Sequence, residues 1–134
     1  MYTALPQEAK DIRIEVFMKE QGFENEFDDI DDMSHHIVVF DEEKPIGTCR
    51  FFKENDHYTI GRVAVLKEYR NQHIGNVLLE SAEKEIKKLN GDLIVVHAQV
   101  RVSPFYEKQG YIQFGQIDDD EGVPHMWMKK RIQH

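Results

Sequence analysis

At 134 residues the chain has room for one domain around a single core. It carries 17 Lys and Arg against 25 Asp and Glu, a formal net charge of −8, which argues against a nucleic-acid partner because that role needs a continuous basic surface. No apolar run approaches the roughly 18 residues of a membrane span, and Met1 to Pro6 show no basic-then-apolar secretory signal. Cys49 stands alone and cannot form an internal disulfide, so the expected location is cytoplasmic.

Pro6 to Gln21 reads as a helix, with Ala9, Ile12, Val16 and Phe17 near one face and Gly22 as its stop. Glu24, Glu26, Asp28, Asp29, Asp31 and Asp32 then form a segment too charged to bury, expected as a solvated loop. His36 to Phe40 and Ile46 to Phe52 read as a hairpin around Asp41-Glu42-Glu43-Lys44, with Cys49 as a small buried hydrophobe rather than a nucleophile. Thr59 to Val65 is a third strand. The helix after Gly75 places Leu78, Ala82, Ile86 and Leu89 on one face and Glu80/Lys84 and Glu83/Lys87 on another, and Asn90-Gly91 ends it. Leu93 to Ala98 is a near-continuous apolar run, as expected of a strand covered on both faces. Ser103-Pro104 opens a short helix, with Ser as its N-cap, that Gly110 ends. Tyr111 to Phe114 and Pro124 to Lys130 read as a last hairpin joined by an acidic loop around Asp118-Asp119-Asp120-Glu121. The order predicts an α/β (α+β) domain over residues 1–134, built on a mixed sheet.

The segment from Val63 to Leu79 is the most informative. An apolar strand enters a polar turn that opens directly into an amphipathic helix, whose first N–H groups lack intrahelical partners and face one spot. With the helix dipole added, that spot suits a phosphate or pyrophosphate, so a phosphorylated cofactor is expected there. Lys67 and Arg70 supply local positive charge in an otherwise acidic chain.

Two motifs carry a family resemblance. Arg70-Asn71-Gln72-His73-Ile74-Gly75 follows the pattern Gln or Arg, two residues, Gly, one residue, Gly or Ala. Phe105-Tyr106-Glu107-Lys108-Gln109-Gly110-Tyr111 follows Phe-Tyr-Glu-Lys-x-Gly-aromatic. With Val95-Val96-His97-Ala98-Gln99 between them, the chain resembles the GNAT superfamily of acyl-CoA-dependent N-acetyltransferases along essentially its whole length. Val16-Phe17-Met18-Lys19-Glu20-Gln21, Gln99, Pro104-Phe105-Tyr106 and Gly122-Val123-Pro124-His125 are similar to the small bacterial branch of ElaA-like and YjcF-like proteins.

The resemblance implies a sheet with two splayed parallel strands, flanking helices and an N-terminal strand that is short or missing. It implies acetyl-CoA as co-substrate, held by Val63, Val65, Arg70, Asn71, Gln72, His73, Ile74, Gly75, Asn76, Gln99, Ser103 and Tyr106, with no metal. In that reading the Val65 backbone amide polarises the thioester carbonyl and Tyr106 assists the departing thiolate. Glu20, Gln21 and His125 are candidates on the acceptor side, and His35, His36, His97, His125, Glu15 and Glu20 are candidate bases. The chain departs from the family pattern at His73, where glycine is usual, and at Gln99, where asparagine is common.

The expected activity is direct acetyl transfer from acetyl-CoA to a primary amine on a small molecule or peptide, by a monomer or homodimer. The alternative is an acyl-CoA-binding or sensory module with little turnover.

Overall fold

The computed structural model describes residues 2–22 and 28–132. Six strands form one mixed sheet in the order β1-β2-β3-β4-β6-β5: β1 His35–Asp41, β2 Lys44–Glu54, β3 His57–Val65, β4 Leu93–Gln99, β5 Ile112–Asp120 and β6 Val123–Arg131. All neighbours are antiparallel except β3 and β4. Helix α2 (Ile74–Lys88) connects those two strands, as a parallel crossover requires. The short N-terminal strand is a single bridge, in which Tyr2 and His36 exchange both backbone hydrogen bonds at 2.7 Å.

The apolar period of α2 explains its packing. Leu78, Leu79, Ala82 and Ile86 are buried against Cys49, Phe51, Ile60, Ile94, Val96, Met126 and Met128 on one sheet face. Leu89, expected on that face, follows the last helical residue and is exposed. Gly47 on β2 lets α2 approach closely, because a Cβ there would lie 3.0 Å from Ile74 and 3.2 Å from Leu78. Helix α1 (Gln7–Arg13) covers the opposite face of β1–β3, with Ile12, Val16 and Phe17 packed on Ala64. Among the described residues, no helix lies over that face of β4, β6 and β5. In the strand at Leu93 to Ala98, Ile94, Val96 and Ala98 enter the core on one face and Val95 is buried on the other, while Leu93 and His97 are half-buried.

The first helix is not α-helical throughout. After Arg13 it winds as a π-helix over Ile14–Glu20, closed by an i→i+5 bond from Gln21 N–H to the Val16 carbonyl at 3.1 Å. Helix α3 (Ser103–Lys108) has Ser103 as its first residue, and no side chain caps it, so the expected Ser cap is not formed. The acidic stretch Asp118 to Asp120 lies within β5, and the chain reverses in two residues, Glu121 (φ 51°) and Gly122 (φ 80°). A two-residue turn with both φ positive matches strand twist better than the longer loop expected from composition.

The acidic segment after Gly22 gives the largest correction. Glu24 and Glu26 lie outside the described residues, but Asp31 is 3% exposed rather than solvated. It sits in a 3-10 turn (Asp29–Met33) between Arg13 at 2.8 Å and Arg50 at 3.0 Å, two arginines themselves 1% and 4% exposed. Asp28 bonds Arg50 at 2.6 Å and Arg62 at 3.4 Å. Paired charges tolerate burial that lone ones do not. These partners are 18 and 19 positions from Asp31, beyond the reach of a local composition argument.

Burial alone would raise the Asp31 carboxyl, but the hydrogen bonds and charges of Arg13 and Arg50 outweigh it and hold the group below its ordinary value. A depressed folded-state pKa contributes stability above the unfolded value near about 3.9, and that contribution is lost as pH falls through the folded value. Asp31→Asn is expected to lose about 3 kcal/mol of unfolding free energy at neutral pH. Urea titrations should show the gap to wild type closing below about pH 4.

Candidate functional site

Strand β3 leaves its parallel partner early. The ladder pairs Tyr58, Thr59 and Ile60 with Ile94, Val95 and Val96, and then stops. The cause lies on the other edge of β3. Gly61 pairs Arg50 and Ala64 pairs Thr48, so Arg62 and Val63 together oppose Cys49. This is a β-bulge, with Arg62 in the left-handed region at φ 50°. Beyond it, Leu66 N–H bonds the Ile46 carbonyl at 2.9 Å, while Val65 pairs Gly47 one step earlier. Antiparallel alternation therefore turns the N–H and C=O of Val65 away from β2 and into the gap left by β4.

The gap opens into two cavities. The larger, about 670 Å³, runs along Val63, Ala64 and Val65 to the start of α2, and Phe105, Tyr106 and Lys108 of α3 form its far wall. The smaller, about 220 Å³, lies toward the uncovered sheet face, lined by Gly61, Arg62, His97, Gln99, His125 and neighbours. Gln21, Val63, Arg101, Val102 and Tyr106 line both. The junction is thus at Val63, whereas Val65 lies only in the larger cavity. The Val65 amide, expected at the thioester, faces the larger cavity and not the smaller.

At the end of the larger cavity, α2 begins at Ile74, and Val77 N–H to the His73 carbonyl, at 3.1 Å, is the first helical bond. The amides of Ile74, Gly75 and Asn76 precede it and have no acceptor within the helix. The first turn carries no acidic residue to neutralise the dipole, and Arg70, Arg101 and Lys108 line the same cavity. A phosphate-bearing ligand with a narrow arm fits this donor set: anion at the helix start, arm along the open strand edge.

Asn71, His73, Ile74, Gly75 and Asn76 all line this cleft. His73 adopts φ 62°, the left-handed conformation that glycine takes at little cost, so its Cβ carries backbone strain. A Cβ at Gly75 would meet the Phe105 ring at 3.2 Å, so the glycine admits α3 against α2.

Arg70 is also engaged differently from expectation. Its guanidinium donates to both Glu20 oxygens, at 2.6 and 2.8 Å, and to the Val65 carbonyl at 3.0 Å. Gln72 extends to the Glu68 carbonyl at 3.5 Å, and Ser103 is buried at the start of α3. Gln99 lines the smaller cavity instead of the cofactor cleft. It donates to Gln21 at 2.9 Å and accepts from Arg101 at 2.9 Å. Glu20 and Gln21, placed by the π-helical winding, thus bridge the gap from the α2 loop to β4.

Tyr106 is buried, and its ring packs edge-on against Phe105 and Tyr111. Cys49 is fully enclosed, its thiol pushed up to about 12 by burial, which leaves no thiolate for nucleophilic attack. Among the candidate bases, His36 is buried and bonded to the Asp31 carbonyl at 3.0 Å, and burial lowers its pKa. His35 stacks on Phe51 at 4.9 Å, and Glu15 is exposed beside Lys19. Of these candidate bases, His97 and His125 alone line either cavity.

A mixed sheet parted around a cleft that ends on a helix N-terminus is an architecture suited to a phosphorylated ligand with a narrow arm. The acetyltransferase (GNAT) domain family model matches residues 5–132, and the chain belongs to this family. It is 35% identical over 122 residues to the uncharacterised N-acetyltransferase YjcF of Bacillus subtilis (strain 168), covering 89% of this chain and 87% of that protein. A crystal structure of a proposed N-acetyltransferase from Lactobacillus plantarum superimposes with a TM-score of 0.91 at 30% identity, covering 99% of this chain and 97% of the other. The fold is shared with aminoglycoside 6'-N-acetyltransferase complexed with coenzyme A, at a TM-score of 0.76, 16% identity and coverage of 96% and 91%. Acetyl-CoA is the co-substrate of the family's general reaction, and the cleft described above has the donors to hold it.

His73→Gly isolates the role of the left-handed residue. It should raise the unfolding free energy by about 1 kcal/mol and leave coenzyme A affinity equal or better by calorimetry. A tenfold loss of affinity would show that the imidazole itself holds the cofactor.

Proposed function

We propose that the protein transfers an acetyl group from acetyl-CoA to a primary amine by direct attack, without an acyl-enzyme. The observation that carries this reading is the meeting of two cavities at Val63 and Tyr106, one fitted to the coenzyme and one open to an acceptor. The amides of Ile74, Gly75 and Asn76 take the pyrophosphate, and the edge of Val65 takes the pantetheine arm. The Val63 N–H, at the junction, donates to the thioester oxygen as negative charge develops on it, a preorganised donor that needs no rearrangement.

Tyr106 acts on the departing sulfur. Burial pushes its phenol well above the ordinary value, so at neutral pH it is a neutral hydrogen-bond donor. Full proton transfer to a thiolate near 8.5 costs about 2 kcal/mol even from an unshifted phenol, and burial widens that gap. Its contribution is therefore a hydrogen bond that strengthens as charge reaches sulfur. With Cys49 enclosed, its thiol is not available to form an acyl-enzyme.

The test is acetyl-CoA turnover with polyamines, amino acids, aminoglycosides and N-terminal peptides, beside calorimetry with coenzyme A alone. Binding without turnover on any amine would support an acyl-CoA-binding module instead. Tyr106→Phe should keep fold and coenzyme affinity and lower kcat roughly 10²-fold, the modest end of general-acid effects. An unchanged kcat, with chemistry shown to limit the rate, would reduce Tyr106 to a packing residue.

A further inference from the structure

On the uncovered sheet face, cross-strand register brings together residues from three strands. His97 on β4 lies opposite Trp127 on β6, which lies opposite Phe114 on β5. Gln99 lies opposite His125, which lies opposite Asp118. A bulge between Phe114 and Asp118 bends β5, and the Asp118 carboxylate meets His97 Nε2 at 2.7 Å. The His97 ring stacks on Trp127 with centroids 4.3 Å apart and lies 4.8 Å from the His125 ring. His97 and His125 line the smaller cavity, whose charged lining also includes Arg62, Arg101, Asp120 and Glu121.

We propose that His97 is the general base that takes a proton from the incoming ammonium, and that Asp118 is the residue that positions it. The inference rests on the acetyl-transfer reading above. A carboxylate only accepts hydrogen bonds, so His97 Nε2 carries its hydrogen toward Asp118, and Nδ1 is left with the lone pair. His125 Nδ1 donates to the Val123 carbonyl at 2.8 Å, a neutral acceptor that stabilises an imidazolium less than the carboxylate on His97 does. When His97 becomes an imidazolium, Asp118 at 2.7 Å and the Trp127 face stabilise the charge. His36 and Cys49 are enclosed elsewhere, and Glu20 is held by Arg70.

The proton balance is complete. R–NH3+ gives one proton to His97 Nδ1, and the freed lone pair forms the C–N bond to the thioester carbon. The C–S bond breaks with its electron pair on sulfur, under the Tyr106 hydroxyl. The proton then lost from nitrogen ends on the thiol, and His97 returns its proton to solvent.

The experiment compares two acceptors of one size at pH 7: ethylamine, an ammonium at that pH, and 2,2,2-trifluoroethylamine, largely the free amine. For His97→Gln, kcat/KM with ethylamine should fall roughly 10²-fold, while the trifluoro acceptor loses less than about threefold because it needs no base. Asp118→Asn should show a smaller loss with ethylamine alone. Nitrogen-15 NMR of the ring should report the Nε2–H tautomer in wild type and a mixture in Asp118→Asn, independent of turnover. Equal losses on both acceptors, or a wild type that accepts only the trifluoro amine, would overturn the role of His97 and leave the transfer reading intact. Coenzyme A binding with no transfer to either acceptor would overturn the transfer reading and this role with it.

Discussion

One extra residue in β3 governs the functional half of the molecule. Arg62 and Val63 stand where a regular strand would place a single residue opposite Cys49. The strand bends, its parallel ladder to β4 ends at Ile60, and the backbone edge beyond it is left facing a gap. Buried backbone groups need partners: the Val65 carbonyl finds one in Arg70, while its N–H faces the gap where the neighbouring strand has parted. The two cavities, their junction at Val63 and the alignment of the α2 amides with the larger one all follow from that parting. Arg62 adopts a conformation that glycine takes at less cost, and its guanidinium reaches Asp28.

The far side of the gap is held by contacts distant in sequence. Arg13, Asp31, Arg50 and Asp28 form a buried ionic cluster that fastens the first helix and the following 3-10 turn to β2. The helix then changes winding, and its last residues reach Arg70 on one side and Gln99 on the other. Glu20 and Gln21 consequently tie the loop before α2 to the end of β4. Arg70 is shared between Glu20 and the Val65 carbonyl, so its charge is largely spent within the protein.

Much of the fold was legible in the sequence because it rests on local pattern. The 3.6-residue period of α2 predicted its buried face, and the apolar run of β4 located the central strand. The two motifs supply residues that line the larger cavity, and the departure at His73, where the first of them expects glycine, coincides with a left-handed residue at φ 62°. What escaped is what depends on distant partners. Composition makes Asp31 a solvated acid, and only Arg13 and Arg50 reverse that. The acidic run at Asp118 looks like a loop, yet it is a strand because β6 pairs with it. Gly61, immediately before Arg62, is the one local cue to the bulge, since glycine within a strand favours one, but it does not by itself place the extra residue. Phe105 as the neighbour of Gly75, and Asp118 as the partner of His97, likewise need the assembled sheet and helices to be seen.

The central claim is that the parted strand edge and the start of α2 together receive coenzyme A. Residue-resolved hydrogen exchange of backbone amides, with and without saturating coenzyme A, addresses it directly. The account predicts slowed exchange at Val65, Ile74, Gly75 and Asn76, with the amides pairing β5 and β6 unchanged. Coenzyme A that binds while those four amides exchange as fast as before would contradict it.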